Sequence, residues 1–240
     1  MPAPTTASSP ATEWPEYMTQ CAAVARDPRL QRFLAAWKLR PEQPLGETPL
    51  VALDIETTGL DPRRHSIVSI GVVPFTLDRI NFSQRRHWLL KPRFQLQEQS
   101  VTFHRITHSA LADAPDLTVV LEEVLASMAG RLPVVHYRNV ERGFLESALR
   151  FRLGEGLQFP VIDTMELEAR IYRQSVLARL RRWLGGQPVS IRLHESRTRY
   201  GLPTYQPHHA VIDALATAEL LQAQVAARFS PQTPISELWG

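Results

Sequence analysis

An apolar run that ends in two acidic residues constrains this chain more than any other stretch. Residues 50–53 (L-V-A-L) have the composition of a buried strand, Asp54 and Glu56 follow, and residues 57–59 (T-T-G) end the strand. Because alternate side chains of a strand share a face, the two carboxylates point the same way. Buried neighbouring carboxylates repel each other and are costly to desolvate, and Mg²⁺ or Mn²⁺ between them would remove both penalties. The alternative is a solvated strand end with two unrelated acids.

Length and composition fit one large globular domain with an appendage, since the chain has 240 residues, 44% apolar and 21% charged. No apolar stretch approaches the roughly 20 residues of a membrane span, and residues 1–11 lack the layout of a signal peptide. We therefore expect a cytoplasmic protein without a membrane partner, and the single cysteine, Cys21, agrees. The net charge of +3 is compatible with nucleic acid, and arginines crowd residues 170–199.

The chain divides into four parts. Residues 1–12 are predicted to be a disordered tail, residues 13–49 a helical extension and linker, residues 50–229 the main domain and residues 230–240 a C-terminal tail. Apolar residues at helical spacing predict two short amphipathic helices in the extension. These helices either pack on the main domain as a cap or present a face to a protein partner.

From Leu50 onward, strand and helix patterns alternate, which predicts an α/β fold with a mixed central sheet of about five strands flanked by helices. After the first strand, strands are predicted at residues 66–75, 86–90, 132–136 and 159–162. Helices are predicted at residues 116–129, 140–151, 164–172, 175–184 and 209–229, and residues 92–115 are predicted to be a long loop.

Two later acids and a histidine lie at the ends of predicted elements. Glu141 falls in the first helical turn after a strand, and His208 precedes Asp213 by five residues at the start of the last helix. Each acid alone is weak evidence, because the helix dipole favours an acid in any first turn. Together with Asp54 and Glu56, they give four carboxylates and a histidine on different elements.

These residues carry a resemblance to a known family. Residues 54–60 (D-I-E-T-T-G-L) resemble the first motif of the DEDD exonuclease superfamily. Residues 208–218 (H-H-A-V-I-D-A-L-A-T-A) resemble the third motif of its histidine-bearing branch, DEDDh, which includes the proofreading epsilon subunit of bacterial DNA polymerase III. Shorter matches are residues 104–107, 161–164 and 199–202. The resemblance covers about residues 50–228 and implies a ribonuclease H-like fold.

The second motif departs from the family pattern, which reads His-Asn, two residues, Phe-Asp, two residues, Phe-Leu. This chain has His136-Tyr137, Val140-Glu141 and Phe144-Leu145, so Glu141 stands where the family has Asp. The extra methylene either misplaces a metal ligand or compensates for a helix that lies slightly further back. We favour compensation.

The resemblance implies hydrolysis of phosphodiester bonds from the 3′ end of single-stranded DNA or RNA, with release of nucleoside monophosphates. Two Mg²⁺ or Mn²⁺ ions would serve the reaction. Asp54 would bridge both ions, and Glu141 would hold the second one. The implied metal ligands are Asp54, Glu56, Glu141 and Asp213. His208 would be the general base, and the adjacent His209 is the competing candidate.

The resemblance also implies substrate contacts. The turn after the first strand would contact the terminal nucleotide, and two loop residues would line the same pocket. The residues concerned are Thr57, Gly59, Leu60, Phe103 and His104. Arginines would follow the phosphates of the strand, although a solvated helix face is the alternative for each: Arg170, Arg173, Arg179, Arg181 and Arg182.

Two other functions remain open from the sequence. A catalytically weakened module that binds nucleic acid or regulates a partner would keep the fold, with Glu141 as its defect. A metal-dependent phosphatase or nucleotidase would turn over small nucleotides faster than strands. Metal-dependent release of mononucleotides from a labelled strand distinguishes these from an exonuclease.

Overall fold

A five-stranded mixed sheet forms the centre of the protein, whose computed structural model describes residues 13–94 and 106–240. The strands are β1 (Leu50–Thr57), β2 (Ile67–Phe75), β3 (Arg86–Leu89), β4 (Leu132–Val135) and β5 (Ile162–Asp163). They lie in the order β3-β2-β1-β4-β5, with β1, β2 and β3 antiparallel and with β4 and β5 parallel to β1. The predicted mixed sheet of about five strands is therefore confirmed.

Helices flank this sheet. They are α1 (Trp14–Val24), α2 (Pro28–Ala35), α3 (His108–Leu111), α4 (Leu117–Met128), α5 (Arg138–Leu153), α6 (Thr164–Tyr172), α7 (Val176–Trp183), α8 (Leu193–Arg199) and α9 (Ala210–Arg228). The fifth strand begins later than predicted, since Phe159 is buried in the core without strand pairing. The predicted disordered tail, residues 1–12, and much of the predicted long loop, residues 95–105, lie outside the described residues.

Helix α8 was not predicted, because its sequence, L-H-E-S-R-T-R, has no apolar period. A buried arginine stabilises it instead. The Arg197 guanidinium donates to the backbone oxygens of Ala216 and Pro203, at 2.6 and 2.8 Å, and to the carboxylate of Glu219 at 2.7 Å. Its partners outside the helix include α9, so the helix depends on tertiary contacts more than on local propensity.

Strand β1 has two buried faces. Val51, Leu53 and Ile55 belong to the core that α2, α4 and α5 cover. Leu50 and Ala52 belong to a second core, which residues of α9 such as Ala214 and Leu221 complete. Because strand side chains alternate, Asp54 and Glu56 continue the face that packs against α9.

The N-terminal extension packs on the domain as a cap. The Asp27 side chain accepts the Arg29 N–H at 2.9 Å and so begins α2 at its proline. Met18 and Leu30 are buried in the core with α4 and α5, and the Phe33 ring lies 6.0 Å from that of Phe159. A protein partner for these helices stays a prediction.

Residues 230–240, predicted to be a C-terminal tail, pack against the N-terminal extension and the β5 strand. The Leu45 N–H donates to the Thr233 oxygen at 3.0 Å. Trp239 is buried, forms a β-bridge with Ile162, and places its ring 5.9 Å from that of Trp37. The segment thus connects the β5 edge of the sheet to the N-terminal extension.

Helix α9 is an exception to the expectation that no apolar stretch approaches a membrane span. Its 19 residues are long and apolar enough to cross a membrane by length and composition alone. More than half of it is buried inside the protein, however, where Val211, Ala214 and Ala218 pack with Ala52 and Val73 of the sheet. These are the contacts of a core helix.

Candidate active site

Three predicted acids meet where β1 approaches the start of α9. Asp54 and Glu56 lie on β1, and Asp213 lies in the first turn of α9. One carboxylate oxygen from each lies within 4.8 Å of the others, and all three side chains are partly buried. The strand alternation that the sequence predicts therefore brings two of the acids to the helix that carries the third.

A glycine that the sequence analysis did not single out permits this approach. Gly71 of β2 pairs with Asp54 across the sheet. A Cβ atom at Gly71 would lie 2.2 Å from the Ala210 carbonyl carbon and 2.4 Å from the Val211 nitrogen, so only glycine lets α9 begin directly on β2. An isolated glycine inside a predicted strand was the available signal, since it often marks a close backbone approach.

The electrostatics of the three acids favour a bound cation. Burial raises the pKa of Asp54 well above its usual range, and the charges of Glu56, Asp213 and Glu141 raise it further. Burial and the Asp213 charge raise the pKa of Glu56 to about 8. Burial also raises the pKa of Asp213, although the hydrogen bonds that its carboxylate accepts from the His208 and His209 N–H groups lower it in part. The raised pKa values mean that the three carboxylates are costly to ionise together. A bound cation would lower that cost by neutralising their charge.

Glu141 approaches from a different element and is not part of that group of three. It lies in the first turn of α5, 2% exposed, and its Oε2 has no hydrogen-bond partner among the described residues. Burial raises the pKa of Glu141 well above its usual range, and the charges of Asp163 and Glu56 add to this effect. An orphaned buried carboxylate oxygen is costly, and a cation would satisfy it.

The backbone that leads into α5 is unusual. Tyr137 has φ 94° and ψ 75°, in the left-handed region that bulky residues rarely adopt. The Tyr137 N–H and the Arg138 N–H both donate to the Asp163 carboxylate, at 3.0 Å. Asp163 also accepts the N–H groups of Met165 and Glu166, so one buried carboxylate joins the starts of α5 and α6.

The two histidines before α9 differ in their surroundings. The backbone N–H groups of His208 and His209 both donate to Asp213 Oδ2, at 2.7 and 3.2 Å. The His209 ring lies 4.9 Å from the ring of His87, whose Nε2 is 2.8 Å from the Ser69 hydroxyl. Both residues are exposed, and His208 has φ 69°, a strained backbone conformation immediately before the helix.

The predicted substrate turn follows β1 directly. The Thr57 hydroxyl donates to the Gly59 oxygen at 2.8 Å, and the Thr58 N–H donates to the Ser66 oxygen at 2.9 Å. Leu60 at its tip is 85% exposed, as a side chain that meets a ligand would be. A Cβ atom at Gly59 would lie 2.4 Å from the His65 ring, which packs beneath the turn. The predicted loop contacts Phe103 and His104 lie outside the described residues.

The predicted phosphate-contacting arginines lie on α6, directly after it, and on α7. Arg170 pairs with Glu166 at 2.7 Å and donates to the Glu237 oxygen, and Arg173 donates to the Val189 oxygen. Arg179 is exposed on α7, and Arg181 and Arg182 lie on the same helix. The first two side chains therefore have intramolecular partners, which makes phosphate binding a weaker prediction for them.

The donor set fits a hard divalent cation. All four acids offer carboxylate oxygens, which Mg²⁺ and Mn²⁺ prefer, and among the described residues no Arg or Lys side chain pairs with any of the four. Asp54, Glu56 and Asp213 would hold one ion, and Glu141 would complete a second position with Asp54. Carboxylate clusters also occur without metal, so the orphaned oxygen of Glu141 is the stronger part of this fit.

Similar sequences support a nuclease. The exonuclease family model RNase_T matches residues 51–221. DNA polymerase III PolC-type of Thermotoga maritima is 29% identical over 182 residues, which cover 76% of this chain and 12% of that protein. The corresponding protein of Staphylococcus aureus is 28% identical over 175 residues, covering 72% of this chain and 11% of its own length. The chain thus spans about a tenth of the curated relatives that it matches.

Solved structures share the fold. The nuclease domain of 3′hExo, a DEDDh family member bound to rAMP, superposes with a TM-score of 0.61 at 15% identity, covering 75% of this chain and 92% of that one. Exonuclease X in complex with 5′-overhanging duplex DNA superposes with a TM-score of 0.59 at 20% identity, covering 79% and 98%. Since the family model matches well over half of the residues, the chain belongs to the exonuclease family.

Proposed function

We propose that the chain is a 3′–5′ exonuclease that hydrolyses the phosphodiester bonds of DNA or RNA and releases nucleoside monophosphates. The meeting of Asp54, Glu56 and Asp213 within 4.8 Å carries this proposal. Two Mg²⁺ or Mn²⁺ ions, when bound, would supply stabilisation of the attacking and leaving oxygens of an in-line displacement. The family membership supports nuclease chemistry, and the 3′ direction follows the DEDDh resemblance.

The protein residues divide the remaining tasks. Asp54, Glu56, Asp213 and Glu141 would hold the ions at the carboxyl end of the central strand, β1. The exposed side chain of His208 would take a proton from the attacking water as general base. Leu60, at the exposed tip of the turn, would contact the terminal base, and the backbone of Thr57 and Gly59 would lie near the sugar.

One observation keeps a second function in view. Glu141 is not among the three acids that lie within 4.8 Å, and it replaces the Asp of the family motif. If α5 holds it out of reach of a cation, the protein is a nucleic-acid binding or regulatory module with little turnover.

A strand-degradation assay tests the proposal. Matched 5′-labelled DNA and RNA oligonucleotides, single- and double-stranded, are incubated with Mg²⁺ or Mn²⁺ and, in parallel, with EDTA. We expect a ladder that shortens from the 3′ end, mononucleotide products, and no degradation in EDTA. Asp54→Asn should abolish nearly all turnover while the protein stays folded, because the change removes one of several mutually repelling acids. Binding of the strands without degradation would instead establish the second function, and unchanged activity of Asp54→Asn would refute the metal assignment.

A further inference from the structure

Arg142, the residue after Glu141 on α5, contacts both segments that lie outside the family match. Its Nη1 donates to the Gly240 oxygen at 2.8 Å and to the Phe159 oxygen at 3.1 Å. Its guanidinium lies 5.6 Å from the centre of the Trp14 ring on α1. The family match ends at residue 221 and begins at residue 51, so a single side chain joins the N-terminal extension and the C-terminal segment to α5.

The Gly240 oxygen is held in place by the sheet. The Gly240 N–H donates to the Val161 oxygen at 2.9 Å, and the neighbouring Trp239 forms a β-bridge with Ile162. Trp239 is 2% exposed and packs near Trp37 of the extension. Arg142 therefore connects α5 to a fixed point at the β5 edge of the sheet.

The backbone at the start of α5 is attached to β5 as well. Asp163, the last residue of β5, accepts the N–H groups of Tyr137 and Arg138. The start of α5 is thus bound to Asp163 of β5 and, through Arg142, to the segment that pairs with Ile162. Glu141 lies between these two attachments, at one turn from Arg138.

The position of the Glu141 carboxylate depends on where the first turn of α5 is held. Its Oε2 has no hydrogen-bond partner within the described part of the chain, so no polar contact at that oxygen fixes the carboxylate. Glutamate also has one more rotatable bond than the aspartate of the family motif, which increases the entropy lost when the carboxylate is ordered. The position of its carboxylate is consequently set by the helix backbone and the surrounding packing.

We propose that Arg142 is a positioning residue for Glu141, and that the N-terminal extension and the C-terminal segment take part in the reaction by fixing the first turn of α5. This inference rests on the proposed function, in which Glu141 is a metal ligand. Residues that orient a metal ligand typically contribute 10- to 100-fold to metal affinity or activity, which sets the expected size of the effect at about that range.

Three variants on α5 test the inference. Arg142→Met retains an unbranched apolar side chain but removes the guanidinium, and with it both hydrogen bonds and the contact with Trp14. Arg142→Lys retains the charge. Arg150→Met is the matched control, because Arg150 lies on the same helix, is exposed, and pairs only with Glu146 among the contacts described. We expect Arg142→Met to lower kcat roughly 10- to 100-fold with the KM for the strand unchanged, Arg142→Lys to lower it less, and the control to match wild type.

A second readout is independent of catalysis. Thermal unfolding is followed in EDTA and over a series of Mn²⁺ concentrations, since a metal that binds only the folded state raises Tm. We expect Arg142→Met to remain folded in EDTA and to need roughly 10-fold more Mn²⁺ for the same rise in Tm. In a Glu141→Gln background, the Arg142→Met change should cause little further loss of kcat, because the two residues act through one carboxylate.

The outcomes are separable. A folded Arg142→Met protein with wild-type kcat and wild-type Mn²⁺ response would overturn the inference, as would losses that multiply in the double variant. If Arg142→Met does not fold, Arg142→Lys decides by the same two measurements. Failure of the proposed function has a different signature, in which wild type itself neither degrades strands nor gains Tm with Mn²⁺.

Discussion

His208 and His209 share a backbone role but differ as side chains. Both donate their N–H groups to Asp213, so replacing either side chain by alanine leaves these two bonds in place. Both residues are exposed, but the His209 ring lies 4.9 Å from the ring of His87. We predict that His208→Ala lowers kcat roughly 10²- to 10⁴-fold, the scale of a lost general base, and that His209→Ala has a smaller effect.

The pH profile of the rate supports the same distinction. A general base must be unprotonated, so the wild-type rate should rise with pH through about 6 to 8, and His208→Ala should lose this rise. His209→Ala should retain it. If His209→Ala is the damaging change and His208→Ala is mild, the base is His209 and the alignment to the third motif shifts by one residue.

At the scale of elements, the placement of α5 decides what Glu141 can do. If the helix lies further back than in the family, the longer side chain restores the reach to the cation. Glu141→Asp should then impair the enzyme, because its carboxylate would fall about 1.5 Å short, one carbon–carbon bond. Glu141→Gln should be nearly inactive, since the amide keeps the size but not the charge. A strand-degradation assay in which Glu141→Asp clearly outpaces wild type would contradict this placement.

The elements that the sequence predicts are those whose signal is local. The apolar run before Asp54 and the alternation that aligns Glu56 with it were sufficient to predict β1 and its acidic face. Helix α8 was missed because its stability comes from Arg197, whose carboxylate partner lies 22 residues away. The attachment of α5 to Asp163 was missed for the same reason, since the two are distant in sequence. The close approach at Gly71 differs, because the isolated glycine in a predicted strand was a local signal for it.

On the scale of the whole molecule, the buried acids make stability depend on pH in an unusual direction. Burial and neighbouring charges raise the pKa of Glu56 to about 8 and raise those of Asp54 and Glu141 well above the usual range. In the unfolded chain these groups titrate near pH 4, so between these limits the folded state binds more protons. This contribution to stability is present at low pH and is lost as pH rises through the folded pKa values.

A buried histidine acts in the opposite direction over part of this range. Burial lowers the pKa of His136 to about 4, so the folded state binds fewer protons than the unfolded chain up to about pH 6.5. Its contribution to stability therefore grows as pH rises to that point and is constant above it. The effect of the acids is consequently clearest between about pH 6.5 and 8.

We predict that, in EDTA, Tm falls by several degrees as pH rises from 6.5 to 8. Saturating Mn²⁺ should reverse this trend, because the cation stabilises the charged carboxylates and competes with their protons. The rise in Tm caused by Mn²⁺ should therefore be larger at pH 8 than at pH 6.5. Asp54→Asn should flatten the fall in EDTA, since removing one charge lowers the pKa of its neighbours. Calorimetry that finds Tm in EDTA constant or rising across this window would show that the acids are already ionised in the folded, metal-free protein, and the electrostatic case for a cation between them would fail.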